Sequence, residues 1–186
     1  MKYFRKLVGK DVYLSPRSPE DAEQYTKWIN DPAVSDGLGN TSHLISVEEE
    51  REYLARRDTG LQFAIVHRED DDLLGSCGID SIQPVHQCAS VGVFIGEEEN
   101  RGRGYGGQAL SLLLDYCFDT LNLHSVSLSV FSFNERAIAC YRRLGFREAG
   151  RQRENYFIRG QFYDRIMMDI LRDEWVSRRE KAEGRV

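Results

Sequence analysis

The sequence predicts one α/β (α+β) domain. Short β-branched or apolar segments typical of strands recur along the chain, and segments with apolar residues at three- and four-residue steps, typical of amphipathic helices, lie between them. The chain has 186 residues, which suits one domain with a sizeable core. Neither an internal repeat nor a low-complexity tract indicates a second domain.

The N-terminal third predicts a strand followed by two helices. Val12 and Leu14 alternate with polar neighbours, as in a half-buried strand. Ser18–Asp21 has the form of a helix start, with a capping serine, a proline at the first position and acids in the first turn. The turn-forming residues of Asp36–His43 predict a loop. A capping box then opens a helix expected over Ser46–Asp58.

Two hairpins are predicted on either side of the middle of the chain. The first joins Leu61–His67 to Leu73–Ile82 through the acidic turn Arg68–Asp72. Adjacent acids on one turn do not converge on a single ion, so no metal site is predicted there. The second hairpin closes the fold with Arg147–Arg159 and Phe162–Ile170. A charged segment, helical or frayed, follows it.

Between the hairpins, the order is strand, glycine-rich turn, helix, strand. The strands are Ser90–Ile95 and Ser125–Phe133, and apolar residues recur with helical spacing over Ala109–Leu121. The turn, Arg101–Gly107, contains four glycines and two arginines. Glycines let the backbone approach a ligand, and the first turn of a helix presents unpaired N–H groups that favour negative charge. A ligand with a pyrophosphate group would suit this turn.

The same turn formally matches the dinucleotide fingerprint G-x-G-x-x-G over Gly102–Gly107. The context argues against that function. Too few residues follow the second strand for a second mononucleotide-binding half, and Ser132–Asn134 at its end lacks the carboxylate expected to hold a ribose. A nucleotide-binding oxidoreductase and a turn without any ligand nevertheless stay open as alternatives at this point.

A different pair of motifs matches better. Arg101, Gly104 and Gly106 satisfy the pattern R/Q-x-x-G-x-G/A, and Asn134–Phe146 has the form of the second signature of the same family. The pair resembles the GCN5-related N-acetyltransferases (GNAT), in particular the branch that contains ribosomal-protein N-terminal and spermidine acetyltransferases. The resemblance implies a mixed central sheet flanked by helices, in one N-acetyltransferase domain over residues 1–186 with its core at about residues 10–172.

The resemblance also implies the chemistry. Members of the family move an acetyl group from acetyl-CoA directly to a primary amine, with no acyl-enzyme, and need no metal. Backbone groups of the strand before the turn pair with the pantetheine arm, backbone N–H groups of the turn cradle the pyrophosphate, and an asparagine binds the arm from the other side. The implied cofactor-binding residues are Val93, Phe94, Ile95, Arg101, Gly102, Arg103, Gly104, Tyr105, Gly106 and Asn134.

Tyr141 is the expected general acid. On a helix from Asn134 to Gly145 it shares a face with Ala137 and Leu144, and a phenol can protonate a departing thiolate. The alternative is a core tyrosine. Many relatives carry a glutamate base where this chain has Ser90. Either water or another carboxylate would then accept the amine proton, with Glu154 as a weak candidate, and the base stays unassigned.

Composition limits the partners. A net charge of -5 gives no reason to expect nucleic acid or an anionic membrane, and it favours a cationic substrate. The four cysteines have no C-x-x-C spacing and Met1 begins no long apolar run, which indicates a cytoplasmic protein without signal peptide or membrane span.

The amine acceptor is left open between a polyamine, a protein N-terminus, an amino sugar and an antibiotic. A homodimer formed through the aromatic segment Tyr156–Tyr163 is a further expectation. The missing glutamate at Ser90 keeps a second function open, namely a non-catalytic acyl-CoA-binding or sensing module on the same fold.

Overall fold

The computed structural model describes residues 2–56, 61–182 and 184. These residues form eight strands and six α-helices. In chain order they are β1 Leu7–Val8, β2 Val12–Pro16, α1 Ala22–Asn30, α2 Pro32–Leu38, α3 Val47–Ala55, β3 Gln62–His67, β4 Leu73–Gln83, β5 Cys88–Ile95, α4 Tyr105–Asp115, β6 Ser125–Phe131, α5 Glu135–Leu144, β7 Arg147–Ile158, β8 Gln161–Leu171 and α6 Arg172–Ala182.

The strands form one mixed sheet in the order β1-β2-β3-β4-β5-β6-β8-β7, so the predicted α/β class is confirmed. Contacts divide the chain into two compact units. The first contains residues 1–78 and 93–112, and the second contains residues 79–92 and 113–186. Strands β4 and β5 and helix α4 therefore contribute residues to both units.

In the first unit, β1 to β4 are joined by antiparallel ladders, with Val12 opposite His67 and Gln62 opposite Gly78. The predicted first hairpin is therefore confirmed. A core cluster forms where α1 and neighbouring segments bury their apolar side chains, which are Ala22, Tyr25, Trp28, Ile29, Val34 and Leu54. Phe94 of β5 packs against this cluster, so the end of that strand is fixed to α1.

Helix caps in the first unit follow the sequence closely, with one error. Ser18 caps a short 3-10 turn that leads into α1, and Ser46 forms the predicted capping box of α3. The predicted loop Asp36–His43 is wrong in its first part because α2 continues to Leu38. The Asp31 side chain accepts a hydrogen bond from the N–H of Ala33, and Pro32 occupies the first helical position, so a second helix begins at once. The predicted end of α3, at Asp58, lies outside the described residues.

In the second unit, β5 runs parallel to β6 over Cys88–Ser90, and β6 runs antiparallel to β8 along its whole length. Every second side chain along β6 and β8 is buried, as expected for strands. These buried side chains are Val126, Leu128, Val130, Ile166, Met168 and Ile170. The closing hairpin β7–β8 is confirmed. Strand β6 ends at Phe131, two residues earlier than predicted, and a π-helical turn over Tyr116–Thr120 follows α4.

Candidate functional site

The loop between β5 and α4 has the backbone that its glycines predict. Gly102 and Gly104 have φ values of 79° and 89°, a left-handed conformation that a residue with a Cβ adopts only at a cost. A Cβ built at either position would meet no described atom within 4 Å, and residues 102–104 are exposed. The loop therefore presents bare backbone to open space.

The N-terminus of α4 supplies donors at the same place. The first hydrogen bond of the helical pattern runs from the N–H of Gln108 to the carbonyl of Gly104, at 3.0 Å. The N–H groups of Tyr105, Gly106 and Gly107 precede it and have no intrahelical acceptor. These groups and the positive end of the helix dipole make the turn suitable for an anion.

Arg101 supports the loop with its side chain. Its guanidinium donates to the carbonyls of Ile95, Gly96 and Ala33, and its backbone N–H donates to the carbonyl of Glu98 at 3.0 Å. Five planar donors in a fixed fork suit an arginine to such a set of carbonyls. Arg101 is therefore engaged in shaping the loop, whereas the exposed guanidinium of Arg103 lies 5.2 Å from the Tyr105 ring.

The segment before the loop is fixed to α1. A Cβ at Gly96 would lie 2.1 Å from the ring of Trp28, so only glycine fits there. The Oε1 atom of Glu97 accepts hydrogen bonds from Lys27 (2.6 Å), Trp28 (3.0 Å) and Gln24 (3.1 Å). The bond from Lys27 is the main reason why the pKa of Glu97 is lowered.

The predicted arm-binding residues Val93, Phe94 and Ile95 form the half-buried end of β5. A Cβ at Gly106 would lie 3.5 Å from Cγ1 of Ile95, so the first turn of α4 passes close to this strand. The structure thus places nine of the ten predicted cofactor-binding residues on one continuous segment of the first unit, from Val93 to Gly106.

Asn134 and Tyr141 lie on α5 in the second unit. Asn134 is the N-cap residue, and its Oδ1 accepts a hydrogen bond from the N–H of Ala137 at 3.2 Å. Tyr141 is 8% exposed, and burial raises the pKa of its phenol above the ordinary value. Among the described residues, its hydroxyl has no hydrogen-bond partner. Beside Tyr141, Ile138 is buried, so the buried face of α5 differs from the predicted one.

The residues considered for the base differ in their surroundings. The Ser90 hydroxyl is 2.9 Å from the Ser81 hydroxyl. Glu154 is exposed and its own N–H donates to Asp164. Asp80 was missed by the sequence analysis: a Cβ at Gly92 would lie 3.0 Å from its Oδ2. The signal available in the sequence was an acid within an otherwise mostly apolar strand.

No group of three or more histidine, cysteine, aspartate or glutamate side chains in the described ranges could hold a metal ion. Across those ranges, no helix combines the length and the apolar character that crossing a membrane requires.

Comparison with known proteins supports the two motifs. A family model described as an acetyltransferase (GNAT) domain matches residues 11–147. An uncharacterized N-acetyltransferase, p20, from Bacillus licheniformis is 27% identical over 177 residues, which cover 92% of this chain and 98% of that protein. The spermidine N(1)-acetyltransferase of Vibrio cholerae is 32% identical over 116 residues, or 62% of this chain and 66% of that protein.

A solved structure, the spermidine N-acetyltransferase from Vibrio cholerae in complex with CoA and spermine, has a TM-score of 0.82 to this chain. The match covers 90% of this chain and 99% of that one at 24% identity. At this identity the likeness shows that the two proteins share a fold.

Proposed function

Because the chain belongs to the GNAT acetyltransferase family and is an acetyl-CoA-dependent N-acetyltransferase, we propose that its acceptor is a polyamine. A relative named spermidine N(1)-acetyltransferase supports this choice, as does the net charge of -5, which favours a cationic acceptor. We further propose that residues 1–186 act as one N-acetyltransferase domain with its core at about residues 10–172.

We propose that acetyl-CoA binds at the loop between β5 and α4. The backbone N–H groups of Gly102–Gly106 bind its pyrophosphate, supported by the two left-handed glycines, the open space in front of them and the free N–H groups at the start of α4. The N–H of Arg101 is already bonded to Glu98, so Arg101 contributes by holding the loop in shape. Arg103 adds an exposed positive charge.

The arm of acetyl-CoA pairs with backbone groups of Val93–Ile95 in this proposal. Support comes from the pairing of β5 with β6, which covers only the first three residues of β5, Cys88–Ser90. Val93–Ile95 lie beyond this paired stretch. Asn134 retains an amide NH2 group for the arm, because the cap uses only its Oδ1.

Transfer needs three proton movements. The acceptor ammonium loses one proton to become an amine, whose nitrogen attacks the thioester carbonyl carbon; the C–S bond breaks, the nitrogen loses a second proton to water and the thiolate gains one. Tyr141 donates the proton that the thiolate gains, and its raised pKa keeps the phenol protonated until then. A positioned general acid of this kind is typically worth about 10²–10⁴ in rate.

For the proton that the ammonium loses before attack, we propose Asp80 as the acceptor, because its carboxylate lies against β5 at Gly92. Asp80→Asn should lower kcat at neutral pH, and the deficit should shrink as rising pH deprotonates the amine itself, whose pKa is about 10.4. Glu154→Gln is the matched control. A deficit that is the same at every pH would contradict the role of Asp80.

A thiol-release assay with acetyl-CoA tests the function. Spermidine should give a higher kcat/KM than a peptide N-terminus, an amino sugar or an aminoglycoside. A higher value for any of the other three would refute the polyamine assignment. Binding of acetyl-CoA without thiol release in the presence of any amine would instead support the acyl-CoA-binding module.

We also propose a cytoplasmic homodimer. None of the four cysteines, all of which lie in the described ranges, forms a disulfide, as expected in a reducing compartment. At the tip of the β7–β8 hairpin, Phe157 and Phe162 are each 57% exposed, with ring centroids 4.8 Å apart. Replacing both with serine should give a monomer by light scattering, whereas Val85→Ser, at a residue 90% exposed, should not. A wild-type monomer at all concentrations would refute the dimer.

A further inference from the structure

The first unit contains an acidic cavity that the proposed function does not use. Its volume is about 480 Å³. Five acidic side chains and one basic side chain line it, namely Asp21, Asp71, Asp72, Glu97, Glu99 and Lys2. Three of these carboxylates are paired with cations, Asp21 with Lys2, Asp71 with Arg5 and Glu97 with Lys27. The excess of two negative charges attracts cations.

Asp21 is the buried member of this set. Its side chain is 3% exposed, and its Oδ1 accepts a hydrogen bond from the Tyr3 hydroxyl at 2.9 Å and pairs with the Lys2 ammonium. The other oxygen, Oδ2, is buried and has no hydrogen-bond partner among the described residues. A buried carboxylate oxygen without a donor is costly, so the site is incomplete without a further donor.

The remaining acids divide into two kinds. Asp71 accepts a hydrogen bond from the Tyr13 hydroxyl at 2.7 Å, and Glu97 already accepts from three donors. Asp72 and Glu99 are exposed, and their carboxylates have no donor within the described part of the chain. The cavity thus has one buried carboxylate oxygen to satisfy and two further negative charges at its surface.

Two neighbouring phenols donate hydrogen bonds to carboxylates of this set. Burial first, and then the hydrogen bond to Asp21, raises the pKa of Tyr3 well above its usual value. Burial and the hydrogen bond to Asp71 raise the pKa of Tyr13 to about 12. Both phenols therefore stay protonated and keep donating to these carboxylates.

We propose that this cavity binds a small organic cation with two ammonium groups. One ammonium donates to Oδ2 of Asp21, and the other lies near the exposed carboxylates of Asp72 and Glu99. Among the described residues, no group of three or more histidine, cysteine, aspartate or glutamate side chains is arranged to hold a metal ion, whereas an ammonium needs only acceptors and space. The site does not depend on the identity of the acetyl acceptor.

Calorimetry with 1,4-diaminobutane, without acetyl-CoA, tests the site. Asp21→Asn retains the Oδ1 acceptor and removes the charge, so it should weaken binding at least 10-fold. Asp72→Asn and Glu99→Gln should each weaken it by less, because exposed charges are screened. Glu69→Gln is the matched control: it removes one charge from the same β3–β4 turn without lining the cavity, and its affinity should equal that of the wild type.

The ligand series gives a second arm. 1-Butylamine should bind more weakly than the diamine, and the uncharged 1,4-butanediol should not bind. Equal affinity of wild type and a folded Asp21→Asn variant would overturn the site. If Asp21→Asn fails to fold, unchanged affinity in the Asp72→Asn, Glu99→Gln double variant would overturn it. Thiol release, measured separately on the wild type, reports only on the acetyl acceptor.

Discussion

The loop after β5 and the helix α5 present chemically different groups. The loop presents backbone: Gly102 and Gly104 adopt left-handed conformations with open space around them, and the side chain of Arg101 is bonded to carbonyls. Helix α5 presents one side chain, the Tyr141 phenol, from a buried position. In the proposed function, the role of the loop therefore depends on φ angles, and the role of Tyr141 on α5 depends on one oxygen atom.

The largest loss of function is expected when a side chain is placed on the left-handed backbone of the loop. Gly104→Val should weaken acetyl-CoA binding by at least about 10-fold, because a β-branched residue strains a φ of 89° and its methyl groups fill the open space. Calorimetry measures the affinity. Gly160→Val is a matched control, since Gly160 has a φ of 83° with equally open surroundings in the β7–β8 turn.

Gly160→Val should lose similar stability and retain acetyl-CoA affinity. If the two variants lose affinity equally, strain alone explains the loss and the loop is not the binding site. If a folded Gly104→Val binds as the wild type does, the pyrophosphate lies elsewhere.

Tyr141→Phe tests the other half of the comparison by removing one oxygen atom. With the ring still packed, kcat and kcat/KM should fall together by about 10-fold or more, because a general acid acts in the transition state. Acetyl-CoA affinity should be unchanged. Tyr13→Phe is the control for a structural hydroxyl, because the Tyr13 hydroxyl donates to Asp71 at 2.7 Å. Removing that hydroxyl should lower the free energy of unfolding by about 1 kcal/mol and leave kcat unchanged. The same pattern in Tyr141→Phe would make Tyr141 a core tyrosine.

The raised pKa of Tyr141 adds a pH test. Because burial favours the neutral phenol in the folded state, this acid stays protonated past its usual pKa of about 10. The kcat of the wild type should not fall between pH 8 and about 10 through loss of the acid. This pKa shift also contributes to the free energy of unfolding. The contribution is fully present below the pKa of the phenol in the unfolded state and is lost as the pH rises from there through the folded-state pKa. A kcat that halves near pH 8.5 in step with one ionisation would contradict the assignment.

The difference between the two regions also explains what the sequence could predict. Glycine spacing before a helix predicts backbone geometry directly, and the structure has left-handed residues at Gly102 and Gly104. Capping signals worked for the same reason: the cap at Ser18 and the box at Ser46 depend on neighbours in the chain. Local chemistry determines these features, so a local pattern predicts them.

Features set by distant residues were not predicted. The three acceptors of the Arg101 guanidinium include the carbonyl of Ala33, 68 positions away in sequence. The proximity of Asp80 to Gly92 and the convergence of Asp21, Asp72 and Glu99 on one cavity depend on packing between elements. Helix α2 was missed because turn-forming residues such as Asp36 and Gly37 also occur inside short capped helices.

The smallest effect is expected at Asn134, where capping and the proposed contact with the arm of acetyl-CoA can be separated. Asn134→Ser keeps a good N-cap for α5 but removes the amide NH2 group. Stability should be nearly unchanged, and acetyl-CoA affinity should fall about 2- to 10-fold, since one neutral hydrogen bond contributes about 0.5–1.5 kcal/mol. Asn134→Ala should in addition lose about 1 kcal/mol of stability with the cap. Melting curves and calorimetry measure both quantities. Wild-type affinity in Asn134→Ser would limit Asn134 to capping α5, and α5 would then act through Tyr141 alone.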